Sequence, residues 1–375
     1  MQLSHTLPVS FATFDEPNLV SSAGLVPLMK LADRAGLHQL GDGHLSVPTD
    51  KGSNGGVKLA SLVAGMAAGA DSIDDMALLR HGAMGTLFDR PYAPSTLGSF
   101  LRKFTFGHVR QTDAIASRFV RALAEHTGLL GHESDTGTVM VDIDDTIVEV
   151  YGHAKQGASF GYSGVRGLNA LLATVSTEQI APVIAAQRLR KGSAGSPRGA
   201  ARLATDTLAL IRRTHLHGRD VLVRGDSAFY SHSMVTACLS AGAEVSVTVR
   251  MDPAVKRAIA TIDDDAWNTI NYTDAIFDEH TNRWISRAEV AEVDFTAFTS
   301  KPKNDQVPGR LVVRRIPDLN PRAASGQASL FDTWRFHAFF TTTSVEQFDT
   351  VAADKTHRAH AIIENVHADL KASAL

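Results

Sequence analysis

Acidic residues stand at three places where an acid is costly unless something compensates it. Asp142, Asp144 and Asp145 interrupt "VMVDIDDTIVEV", a run otherwise apolar enough to be a buried strand, where an unpaired carboxylate costs several kcal/mol. Asp226 ends the short apolar run "VLVRGD", at the carboxyl end of a strand where α/β folds bind ligands. Glu364 lies in "AIIEN" on a helical stretch with Ile363 and Val366 beside it, which directs it inward or to a boundary. A pair of divalent cations would account for all three places, because hard cations take carboxylate oxygens and cancel their mutual repulsion. The chemistry would then be in-line phosphoryl displacement, with one ion activating the attacking oxygen and the other stabilising the leaving oxygen. Taken singly, an Asp at a strand end is ordinarily a turn or cap, and a helical Glu is ordinary too. The order of two strand-borne aspartates followed by a distant helical glutamate is what makes the pattern specific.

The elements that must position these acids are legible from periodicity. Residues 1 to about 130 read as helical, with "LVPLMKLADRAGL", "GGVKLASLVAGMAAGA", "SIDDMALLR" and "IASRFVRALAEHTGLL" carrying apolar residues at three- and four-residue spacing. Ser72, three residues before Asp75, and Pro94–Ser95, ahead of "TLGSFLRKF", are start signals. That last helix, with Arg102 and Lys103, is a candidate second member of a helix-turn-helix, against the plain reading of a surface helix in a bundle. From 137 to 252 the order is three strands, a helix, a strand, a helix and a strand, a mixed α/β sheet. Residues 253–345, with all three tryptophans, read as a mainly β insertion, and 346–375 return to helix with Ile362, Ile363, Val366 and Leu370 as its apolar face.

Bulk properties narrow the class. A chain of 375 residues, 44% hydrophobic, supports a buried core and two or three domains. No apolar run approaches the roughly 18 residues of a membrane span, and the amino terminus lacks a basic start and a continuous apolar stretch, so a cytoplasmic location is expected. The single cysteine, Cys238, excludes an internal disulfide and reads as a buried structural thiol. A net charge of −3 argues against a protein that coats nucleic acid with its whole surface. Basic residues are nevertheless clustered at Arg188, Arg190, Lys191, Arg198, Arg202, Arg212, Arg213 and Arg219, with Asp206 the one acid among them. A second stretch runs through Arg90, Arg102, Lys103, Arg110, Arg118 and Arg121. Such runs are solvated helix faces by default and gain meaning only beside a catalytic site.

The blocks "VDIDDTIVEVYGHAKQGASFGYSGVRGLNALLATVS", "VLVRGDSAFYS" and "HRAHAIIENVHADLK" resemble the three catalytic blocks of DDE transposases, in particular the 1380 family of bacterial insertion-sequence transposases. The resemblance runs from the helical front to the last helix. It implies a ribonuclease-H-like core, with Asp144, Asp226 and Glu364 as catalytic acids and metal ligands, Mg²⁺ or Mn²⁺ as cofactor, and double-stranded DNA as partner, both terminal inverted repeats and target. It also implies a homodimer. Asp142 and Asp145 stay open as alternatives for the first acid. Related transposases carry Tyr, Arg, Glu and Lys around the third acid; here the spacing gives His357, His360, Glu364 and Lys371, with Arg358 between the histidines. The DNA-contact residues expected are Arg102, Lys103, Arg188, Arg190, Lys191, Arg212, Arg213, His357, Arg358, His360 and Lys371. A zinc pair of His357 and His360 is disfavoured, since their three-residue spacing suits one helix face less well than the four residues from His360 to Glu364.

The fold expected is therefore α/β: a ribonuclease-H-like mixed sheet core, an N-terminal helical DNA-binding region over 1–130, a mainly β insertion over 253–345 and a completing helix over 346–375. The chain stops eleven residues after Glu364, where the resemblance leads us to expect further helices. A truncated copy that binds DNA without cutting it is thus the alternative function. "VDIDDT" also fits the Asp-x-Asp-x-Thr signature of haloacid-dehalogenase-type phosphatases, with Asp142 as nucleophile and Asp144 as general acid, although "GDSAFYSHSM" lacks the second acid that family needs.

Overall fold

The computed structural model describes residues 18–89, 91–152, 154–278, 283–317 and 334–372. Arg90 and the amino-terminal stretch 1–17 lie outside them. The chain divides into two compact units, Met1–His126 with Ala368–Leu375, and Thr127–His367.

The first unit is built from α1 (Leu25–Arg34), α2 (Leu37–His44), α3 (Gly55–Ala67), α4 (Pro94–Leu101) and α5 (Phe106–His126). Its main cluster packs Met76, Leu97, Phe100 and Ile115. The segment "SIDDMALLR", expected as an α-helix, is a 3-10 helix over Asp74–Arg80. The reason is visible in its spacing: the buried residues Met76 and Leu79 are three apart, the repeat of a 3-10 turn, and Ser72 with Asp75 closes its start through a 2.7 Å hydrogen bond. Proline at the first turn of α4 has no N–H to leave unpaired, and Arg102 and Lys103 are exposed just past its end.

The second unit contains β1 (Val139–Glu149), β2 (Ser159–Phe160), β3 (Arg166–Ser176), β4 (Val183–Lys191), α6 (Ala200–Ile211), β5 (Val221–Gly225), α7 (His232–Ser240), β6 (Glu244–Thr248) and α8 (Pro253–Ile259). There follow β7 (Asn268–Asp278), β8 (Arg283–Ala297), β9 (Val307–Pro317), β10 (Trp334–Thr341) and α9 (Thr350–Arg358), and α10 (Ile362–Ala372) runs on past the unit's last residue. The described strands form one ten-stranded sheet. Its first half has the order β4-β3-β1-β5-β6, with β3 antiparallel to β1 and to β4, and with β5 and β6 parallel to β1 and to each other. This is a ribonuclease-H-like arrangement. β1 and β5 are buried on both faces, as expected of central strands covered on both sides.

The mainly β insertion does not stand apart from this sheet. β10 pairs antiparallel with β6, matching Phe339 to Thr248, and β9, β8 and β7 follow outward as a meander. Two of the three tryptophans grip one cation: the Arg315 guanidinium lies 4.1 Å from the Trp267 ring centre and 4.4 Å from that of Trp334, and also bonds Glu289.

The last helical stretch, which reads from sequence as one helix, is two, joined by a 3-10 turn at Ala359–Ala361. Asp349 caps α9 by accepting the Ala352 N–H. Inward on α10 are Ile363 and His367, whereas Ile362 and Leu370 are exposed; the face is rotated from the apolar stripe because a histidine occupies a buried position.

Glycine fixes one join tightly. A Cβ on Gly192, just after β4, would overlap the carbonyl oxygens of Gly167 and Ser159, and one on Gly161 would overlap the carbonyl of Gly192. The β2 hairpin therefore lies backbone to backbone against the end of β4. Gly192→Ala is expected to cost about 1–3 kcal/mol of stability, measurable as a lower urea midpoint with an unchanged slope.

Candidate active site

Asp142 and Arg224 face each other across the parallel β1–β5 ladder. The guanidinium donates through Nε and Nη2 to the two carboxylate oxygens, each at 2.7 Å, and both residues are buried. Arg224 Nη1 also donates to the Thr356 carbonyl of α9. His360, in the 3-10 turn, donates from Nδ1 to Asp142 Oδ1 at 2.9 Å. Asp142 is thus fully engaged within the fold and is no nucleophile, which removes the phosphatase reading of "VDIDDT".

Asp145 points to the opposite face of β1, as strand alternation requires. It accepts from Arg190 Nη2 at 2.9 Å and from the Asn169 amide, while Arg190 also donates to Asn169 Oδ1 and to the carbonyls of Gly195, Ser196 and Arg198. Two of the three β1 aspartates are therefore neutralised by internal arginines.

Asp144 is treated differently. Its Oδ1 accepts the Asp145 N–H at 2.7 Å, and its Oδ2 lies 3.3 Å from His367 Nε2. The ladder's last β1–β5 pair is Ile143 with Gly225, so Asp144 and Asp226 are the next residues of two adjacent parallel strands. Asp226 is open to solvent on one side and accepts the Ala228 N–H at 2.9 Å. Packing on its other side raises its carboxyl pKa; the negative charges of Asp144 and Asp145 raise it further, and His360 opposes them.

Glu364 is exposed on α10, between His360 and His367 in sequence. Among the described residues no three His, Cys, Asp or Glu side chains converge as a metal-binding group, so Glu364 does not close a set with Asp144 and Asp226. The two aspartates themselves suit a hard divalent cation: they are oxygen donors, and the repulsion between them is what a cation relieves. Beside them His367 is 6% exposed, with neither ring nitrogen in a hydrogen bond.

Several residues expected at DNA are engaged within the protein. Arg190 braces the β4–α6 connection as above. Arg188 pairs with Asp206, Arg358 with Asp354 at 2.9 Å, and His360 with Asp142. His357 lies flat on Phe339, ring centres 4.0 Å apart, with Ser246 and Thr248 hydroxyls at its two nitrogens. Arg212 is exposed but donates to the Ala241 carbonyl, and Lys191, Arg213 and Lys371 are exposed. Sequence reasoning missed Arg224 and His367; an Arg two residues before Asp226 in a fully apolar strand was the available signal for the first. Cys238 is buried, and burial pushes its thiol pKa up to about 12, which makes it unreactive.

Arg224→Ala strands Asp142 as a buried charge and is expected to cost about 3–5 kcal/mol in urea unfolding. The double replacement Asp142→Leu with Arg224→Met should recover most of that loss. Burial first, then His360, Arg224 and Arg314, pushes the His357 pKa down from 6.5 to about 3. His357 is therefore neutral when folded and protonated when unfolded below about 6.5. Its contribution is complete above that pH and is lost as pH falls toward about 3, at about 1.4 kcal/mol per unit. His357→Phe should remove one proton from the uptake on unfolding at pH 5, read from the pH dependence of the urea midpoint.

Residues 7–323 match the family described as transposase DDE domain group 1, a span that takes in Asp144 and Asp226 and stops before α9. A comparison with curated proteins returned no match. Among solved structures, the chain is similar to one described as a cryo-EM structure of piggyBac transposase synaptic complex with hairpin DNA, at 10% identity and a TM-score of 0.37. The similarity covers 92% of this chain and 58% of that one. With most of its length inside the matched span, this chain belongs to the transposase DDE domain group 1 family.

Proposed function

We propose that this protein is a transposase that cuts double-stranded DNA at the terminal inverted repeats of a mobile element and joins the freed 3′ end to target DNA. Asp144, Asp226 and Glu364 would hold divalent cations, Mg²⁺ or Mn²⁺, which when bound supply polarisation of the attacking oxygen and charge neutralisation at the phosphate. The observation that carries the reading is the treatment of the acids. Arg224 and Arg190 neutralise Asp142 and Asp145, whereas Asp144 and Asp226 follow the last paired residues of adjacent parallel strands, with no arginine paired to either among the described residues. A fold that compensates two aspartates and leaves two adjacent ones in mutual repulsion has reserved them for a ligand.

The chain's own residues contribute positioning. Asp144 is oriented by the Asp145 amide, and His360 is fixed by Asp142. Exposed Lys103, Lys191, Arg213 and Lys371 are offered for phosphate contacts, as are Arg102 and Arg212, which also donate to Ser99 Oγ and to the Ala241 carbonyl. We assign DNA contact to the helical first unit and the chemistry to the second, and a homodimer would hold two element ends together. No helix among the described residues is long and apolar enough to cross a membrane. A second reading, DNA binding without cleavage, is favoured by one observation, the exposure of Glu364 away from a closed ligand set.

The test is nicking of DNA carrying the flanking inverted repeat in Mg²⁺ or Mn²⁺. The wild type should cut, and Asp226→Asn should bind without cutting. Binding by both with cutting by neither would select the second reading, and cutting by Glu364→Gln at the wild-type rate would remove Glu364 from the site. Replacing Lys191, Arg212 and Arg213 with Ala should flatten the salt dependence of binding by about 0.9 in log–log slope for each phosphate that is no longer neutralised; an unchanged slope would move the DNA path elsewhere.

A further inference from the structure

The connection between β1 and β3 turns three aromatic rings to solvent. Tyr151, Phe160 and Tyr162 are 82%, 66% and 73% exposed, although rings of that size are stabilised by burial. They do not sit on a loose loop. Ser159 and Phe160 pair with Gly167 and Arg166 of β3, the Gly192 N–H donates to the Gly157 carbonyl, and the Ser193 N–H donates to Ser159 Oγ at 2.9 Å. Phe160 and Tyr162 flank Gly161, which is pinned against Gly192 by the close backbone approach already described. Arg166 Nη1 donates to the carbonyls of Val150 and Gly152, each at 3.0 Å, and so secures the chain on both sides of Tyr151. The Tyr151 hydroxyl donates to Glu149. A braced hairpin that holds rings in water is preorganised for a flat partner, since little further ordering is needed when the partner arrives.

Position and charge identify that partner. A Cβ on Gly161, between Phe160 and Tyr162, would meet the Ile147 side chain at 3.2 Å, so this pair of rings lies against β1 two residues past Asp145; consistently, after burial the charges of Asp145, Asp144 and Asp226 raise the Tyr162 phenol pKa. Lys155, between Tyr151 and Phe160 in sequence, and Lys191, next to Gly192, are both exposed. Rings and lysines on one braced connection suit a single nucleic-acid strand, whose bases stack on the rings while its phosphates meet the cations. We infer that Tyr151, Phe160 and Tyr162 form a stacking surface for unpaired nucleobases of the DNA strand next to the bond that is cut. The inference rests on the DNA-cutting reading above. Bases inside an intact duplex already stack on each other, so this surface gains contacts only where the strands have opened, and it favours frayed or melted ends.

The test uses the full chain in EDTA, so that nothing is cut, with a fluorescent oligo-dT of about 12 nucleotides and a duplex of the same length as probes. Phe160→Ala with Tyr162→Ala should weaken oligo-dT binding at least about tenfold and change duplex binding less than about twofold. Phe160→Tyr with Tyr162→Phe, which keeps both rings, should bind oligo-dT like the wild type. Equal loss on both probes, or loss on neither, overturns the inference. So does unchanged oligo-dT binding with a shift in oligomeric state on size-exclusion chromatography, which would make the patch a contact between copies. Because no metal is present, failure here removes the stacking surface and leaves the cleavage reading standing, and a failed cleavage assay does not alter this result.

Discussion

The bidentate pairing of Arg224 with Asp142 joins β1 to β5 at the centre of the sheet and reaches one layer further, because the same guanidinium holds the Thr356 carbonyl. Neither charge is tolerable alone in that place: each is desolvated, and only the geometry of the pair with its added hydrogen bonds compensates. The helical segment carrying His357 and His360 therefore has a defined seat on the sheet. His360 closes on Asp142 and His357 on Ser246 and Thr248. One buried ion pair thus sets the distance between the strand that bears Asp144 and the helical segment that leads to Glu364.

Seen this way, the sheet carries two kinds of aspartate. Those at 142 and 145 are structural and tie strands to strands and to the α9 segment, and their arginines prevent them from acting on anything else. Those at 144 and 226 lie where β1 and β5 run out of ladder, and their neighbours are a backbone amide, a turn amide and histidines. Alternation puts Asp145 on the face opposite Asp144, where Arg190 meets it, while Asp142 shares a face with Asp144 but lies inside the β1–β5 ladder opposite Arg224, which Asp144 has run past. The internal network also consumes positive charge, and this reduces the basic cluster after β4 to fewer free cations than its composition suggests.

Much of this architecture is legible in the sequence. Order and type of the core strands and helices follow from periodicity, and the two strand aspartates stand out because acids in apolar strands need a reason. What is not legible follows from two physical facts. Three-residue spacing does not separate a 3-10 helix from an α-helix over a short stretch, so Asp74–Arg80 and the break at Ala359–Ala361 read as α in the sequence. Pairing partners far apart in sequence leave no local signal; nothing in "VLVRGDS" tells that Arg224 lies opposite Asp142, nor anything in the "GRLVVRRI" region that its meander continues the core sheet through β10 and β6. Arg190 reads as a DNA contact for the same reason, since a charge run taken locally looks solvated, while His357 and Arg358 are expected at DNA from the resemblance around the third acid, which carries no information on their partners Phe339 and Asp354.

The docking of β10 on β6 has a consequence for when the protein becomes what it is. The two strands are separated by the whole β7–β9 meander, and a contact of that sequence separation is slow to form because a long loop must close first. During synthesis, Asp144 and Asp226 leave the ribosome well before Phe339, Thr356 and His360, the groups that back His357, hold Arg224 and brace Asp142. The nascent chain therefore carries its aspartates without their scaffold, and the site matures as one of the last events of folding.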